Sequence, residues 1–84
     1  MDISEAQLAE VLVGIIKAQA AALQAVFDIN VIGLKVVPAL QAAGGIPGQS
    51  VSLSNWPARA LLSAVTGNQI NRQMLQDLLQ RAVE

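Results

Sequence analysis

Six carboxylates, five cations and a few hydroxyls carry all the acid–base and nucleophilic potential of this 84-residue chain, which has no His, Cys or Tyr. That absence removes the commonest general acid–base and thiol chemistries. The carboxylates Asp2, Glu5, Glu10, Asp28, Asp77 and Glu84 are scattered, and no two lie one turn apart within a single expected helix. Ser50, Ser52 and Ser54 with Lys35 could in principle make a Ser–Lys pair, yet serines beside a Gly/Pro turn serve turns and caps. The run GGIPG lacks both GxGxxG spacing and a following Lys-Ser/Thr, so it is no phosphate loop. A metal site without His or Cys would need clustered oxygen ligands. The chain is therefore read as a non-enzyme with no metal or cofactor.

The residues that could do work without chemistry lie in 5–42, EAQLAEVLVGIIKAQAAALQAVFDINVIGLKVVPALQA. On a helical wheel, Glu10, Lys17, Gln24, Asp28 and Lys35 form one narrow polar stripe. Glu5, Gln19, Asn30 and Gln41 form a second. Two apolar faces lie between them. One carries Leu8, Val11, Ile15, Ala18, Ala22, Ala25, Ile29, Ile32 and Val36; the other carries Ala9, Val13, Ile16, Ala20, Leu23, Phe27, Val31 and Leu34. An ordinary surface helix has a single apolar stripe, so this one reads as a middle layer. A continuous helix over 5–37 would span about 50 Å, against a radius of gyration of about 12 Å for a compact domain of this size. Gly14 and Gly33 are the expected points of bending or breakage.

Further along, Ser4 and Gln7 make a capping-box signature, and Pro38 should end or kink the long helix at Val37. Residues 43–48, AGGIPG, are the strongest turn signal. Val51 and Leu53 alternate with serines, but no partner strand is visible. Ser54 or Asn55 can cap the next helix, with Pro57 in its first turn. Gly67 fits a C-terminal αL cap. A last helix over 68–83 has one apolar face, Met74, Leu75, Leu78, Leu79, Ala82 and Val83. The expected fold is an all-α helical hairpin. A long N-terminal helix (about 5–37) and a C-terminal arm (about 57–83, broken near Gly67) are joined by a Gly/Pro/Ser loop, with 1–84 one helical domain or assembly subunit.

Composition narrows the partners. Apolar residues are 54% of the chain, charged residues 13% and the net charge is −1, so disorder is excluded and little repulsion opposes self-association. Residues 58–79 superficially resemble a helix-turn-helix, but Arg59 and Arg72 within them and Arg81 just beyond are the only cations there, and nucleic acid is set aside as a partner. Lys17 and Asp28 leave ten uncharged residues between them, where a membrane span needs about 20. The acidic start MDISE is unlike a signal peptide, so a cytoplasmic location or a non-classical export route is expected.

The C-terminal arm can cover only one face of the long helix. A self-associating structural subunit, a closed oligomer or a filament, is therefore expected to bury the second. Val11, Gly14, Ile15, Ala18, Ala22, Ala25, Ile29 and Ile32 are its candidate contacts, with Gly14, Ala18 and Ala22 letting backbones approach closely. Glu10 with Lys35 and Lys17 with Asp28 share a midpoint between Ala22 and Leu23. An antiparallel two-fold pair centred there would satisfy both. Trp56, the lone Trp, is either a contact anchor or a cover over the hairpin's open end. The alternatives are a helical adaptor or chaperone-like module using the same face on another helical protein, and a membrane-active oligomer.

Overall fold

Ser4 begins the first helix as its sequence implies. Its hydroxyl accepts from the Gln7 N–H at 3.1 Å, and the Gln7 amide oxygen accepts from the Ser4 N–H at 3.0 Å, a complete capping box. A computed structural model describes residues 3–45 and 50–83, apart from the side chains of residues 45, 82 and 83. Helix α1, Glu5–Val26, runs straight through Gly14. It ends at Phe27, which is extended, and Asp28 opens a new helix by accepting the Val31 N–H at 2.9 Å. Helix α2 then comprises four abutting pieces, Ile29–Val31, Ile32–Val36, Val37–Leu40 and Gln41–Gly45.

The long N-terminal arm is thus real but divided, and its division lies at neither expected glycine. A straight rod would carry Ile32, Val36, Val37 and Leu40 away from the rest of the chain. The turn at Phe27–Asp28 brings them back onto the later helix Trp56–Val65, and the Asp28 cap holds it. Pro38 does not end the helix either. Ile32–Val36 is a π turn in which the Val37 N–H reaches back to the Ile32 carbonyl, and this widening accommodates the proline's missing donor and ring. The helix stops at Gly44, whose φ of +124° suits glycine. A Cβ there would sit 2.8 Å from Asn55 Cβ. The rest of the Gly/Pro turn, 46–49, lies outside the described residues.

Helix α3, Trp56–Val65, follows a serine-rich turn. Asn55 occupies its N-cap position, but its side chain looks backwards. Its Oδ1 accepts from the Ser52 N–H at 2.8 Å and its Nδ2 donates to the Ser50 carbonyl at 2.9 Å. Val51 and Leu53 form no strand, and no strand occurs among the described residues. Gly67, at φ +83°, ends α3 in a Schellman motif. The Asn68 N–H donates to the Ser63 carbonyl at 2.8 Å and the Gly67 N–H to the Ala64 carbonyl at 3.2 Å. Helix α4, Arg72–Val83, starts four residues later than the sequence pattern implies, where Asn71 accepts the Met74 N–H at 3.0 Å.

The result is an all-α helical hairpin, the N-terminal arm being α1 and α2 and the C-terminal arm α3 and α4. Ala9, Val13 and Ile16 of α1 pack with Trp56, Ala60 and Leu75 in the main core. Ala20, Ile32 and Val65 form a second cluster, with Leu23, Val36, Val37, Leu40 and Leu61 around it. The molecule measures 41 × 26 × 17 Å, and 17 Å accommodates two helix layers at 8–10 Å between axes. Within one chain, α1 is therefore an outer layer rather than a middle one.

Candidate functional site

The two apolar faces of α1 meet different fates. Ala9, Val13, Ile16 and Ala20 are buried against the C-terminal arm. On the opposite side, Val11, Gly14, Ile15, Ala18, Ala22 and Ala25 are exposed, and Leu8 is half-buried. All six of these exposed residues are apolar or glycine, so water faces a strip with no hydrogen-bonding side chain along its midline.

Large apolar side chains are also exposed around the turn from α1 into α2. Val26 is 74% exposed, Ile29 83% and Leu34 77%. Isolated apolar side chains on a surface are ordinary, but a contiguous run of them is not.

Not all the residues singled out by sequence belong to this surface. Ile32 is buried in the second core cluster. Trp56 is buried in the main core, where Ala9, Val13, Ile16, Ala60 and Leu75 surround it, so it presents no anchor to a partner.

The charged residues are also redistributed. Glu10 pairs with Arg72 of its own chain at 3.3 Å, both side chains more than half exposed. Asp28 is committed to capping α2, and Lys35 sits on α2, beyond the turn. The paired register of Glu10 with Lys35 and Lys17 with Asp28 required one straight stripe. The break at Phe27–Asp28 removes that stripe, and with it the centre between Ala22 and Leu23.

Elsewhere the polar groups serve the fold. Gln24 donates from Nε2 to the Val65 carbonyl at 3.4 Å and the Ala64 carbonyl at 3.5 Å, covering the end of α3. Ser52 and Ser54 bond each other at 3.0 Å within their turn. A shallow cleft of about 630 Å³ lies between α1 and the α3–α4 turn, with Lys17, Gln24, Asn68, Gln69 and Arg72 on its walls. It brings two cations and three amides together, but no carboxylate. Among the described residues, no three carboxylates group in a way that could hold a metal ion.

The sequence pattern missed two features. The Asp28 cap was hidden because the apolar periodicity runs unbroken through Val26, Phe27 and Ile29, although Asp before a helical turn is an N-cap signal. The α1–α2 corner followed from that break and had no signal of its own.

No protein-family model matches this sequence, no curated protein matches it, and no solved structure matches the fold.

Proposed function

We propose that this protein is a self-associating structural subunit whose assembly covers the outer face of α1. One observation carries the reading: a helix with two apolar faces, of which its own chain covers one. Each large aliphatic side chain that leaves water contributes roughly 1.5–3 kcal/mol, so Val11, Ile15, Val26 and Ile29 together favour association well beyond what the rim charges could add. On pairing, α1 becomes the middle layer that its pattern describes.

The test is the light-scattering mass of the purified, detergent-free protein over a wide concentration range. A fixed multiple of 8.8 kDa is the result for a closed oligomer, and a mass that grows with concentration is the result for a filament. A steady 8.8 kDa at all concentrations overturns the reading.

A second reading has its own observation. Glu5–Val26 is long and apolar enough, by length and composition, to cross a membrane, the one such helix among the described residues. In that case the exposed face meets lipid. Glu10 and Lys17 within the helix weigh against a single span. Leakage of anionic or neutral vesicles, with helix content that rises on adding lipid, distinguishes this reading from assembly in water. A monomer that gains order only with another helical protein identifies an adaptor.

A further inference from the structure

We infer that the outer face of α1 is a self-complementary antiparallel seam, occupied by a second copy of this chain about a two-fold axis passing between Ile16 and Lys17. This rests on the assembly reading and supplies its orientation and register. Leu8, Val11, Ile15, Ala18, Ala22 and Ala25 recur at alternating intervals of three and four residues, the spacing of a coiled-coil seam. They lie together on the outer side of α1, where Leu8 is half-buried and the other five are exposed.

Their sizes are ordered along the helix: three large aliphatics come first and three alanines follow. A parallel pair would set Leu8, Val11 and Ile15 against their own copies at one end and alanine against alanine at the other, so the axes would splay. In an antiparallel pair Leu8 faces Ala25, Val11 faces Ala22 and Ile15 faces Ala18, all three about one midpoint. Every layer then holds one large aliphatic and one alanine, and the axes keep a constant separation near the close end of the 8–10 Å range.

A further observation agrees. Gly14 flanks the seam, and a Cβ built there meets nothing within 4 Å. The fold therefore makes no use of a residue that weakens the helix, whereas a closely approaching second backbone does. No charge interrupts the seam, and Glu10 beside it is engaged by Arg72.

The chain has no cysteine, so single-cysteine variants report one position each. Val11→Cys and Ala22→Cys, both at exposed sites, are prepared separately with distinguishable tags and oxidised alone and mixed. A disulfide needs Cα atoms within about 7 Å, whereas like positions 11 and 11 stand about 16 Å apart along an antiparallel seam at 1.5 Å per residue. The expected result is a cross-link between Val11→Cys and Ala22→Cys chains, with neither cross-linking to itself. Self-cross-linking of each variant would mean a parallel pair and would overturn the seam while leaving assembly intact. No cross-link with a multimeric mass would overturn the seam alone, assigning assembly to another surface. No cross-link with an 8.8 kDa mass would overturn both.

A size exchange gives an independent reading. Ala18→Leu overfills the central layer and should weaken assembly roughly tenfold or more. Adding Ile15→Ala restores one large and one small residue per layer and should recover most of the loss. Equal weakness in the single and double variants would overturn the register.

Discussion

At the scale of single residues, backbone geometry rather than acid–base chemistry sets the demands of this chain. Gly44 combines a φ of +124° with an approach so close that a Cβ would lie 2.8 Å from Asn55 Cβ. Gly44→Ala should therefore cost more than the roughly 1–3 kcal/mol of left-handed strain alone, seen as a lower denaturation midpoint in the fluorescence of buried Trp56. Asp28 holds the turn between α1 and α2 through one hydrogen bond to the Val31 N–H. Its replacement by Ala should cost about 1 kcal/mol, with faster amide exchange at residues 30–32 and little change in α4. The ion pair of Glu10 with Arg72 is exposed on both sides. Glu10→Gln should thus change stability by less than about 1 kcal/mol. The Ser4 and Gln7 cap and the Gly67 stop were legible in the sequence because each is a local bargain between one side chain and the next few peptide groups. Asp28 was equally local, yet an uninterrupted apolar pattern masked it.

At the scale of elements, α1 is a helix stabilised from one side. Its inner face is fixed by Ala9, Val13, Ile16 and Ala20, and its outer face from Val11 to Ala25 stands exposed among the described residues. Gly14 separates these two demands, because a methyl group there touches nothing in its own chain. Gly14→Ala should raise the folding stability of the isolated chain by about 0.5–1 kcal/mol through helix propensity. On the seam described above, the same substitution should weaken assembly. Denaturant unfolding at low concentration and light scattering at high concentration measure the two effects separately, and a variant that gains in both would contradict the close approach. Helix α2 shows the opposite dependence, since Ile32, Val36, Val37 and Leu40 orient it through packing on α3 and Ala20. The sequence pattern foresaw helix over most of α2 but not its direction.

At the scale of the whole molecule, 17 Å of thickness leaves room for two helix layers and no third. Leu75, 1% exposed, is the largest fully buried side chain among the described residues and joins α4 to α1 and Trp56. Leu75→Ala should cost about 2–5 kcal/mol, enough to unfold much of so small a domain, with Trp56 fluorescence shifting to that of a wet indole. Assembly through the α1 face should respond weakly to salt, because no charged side chain lies along it and apolar burial is not screened. Light-scattering mass measured at low and several-fold higher ionic strength should stay the same. A mass that falls with added salt would assign association to charges instead.

The sequence by itself determined the helical class, the hairpin, the C-terminal arm with its stop at Gly67, and the presence of two apolar faces on one helix. These follow from periodicity, capping and glycine conformation, all of which act over a few residues. Only the tertiary structure decided which face is covered, where the long arm breaks, and that Trp56 and Ile32 are internal. Those outcomes depend on which distant surfaces compete for the same partner. The C-terminal arm packs on Ala9, Val13, Ile16 and Ala20, and once it does, none of the other described residues covers the other side of α1.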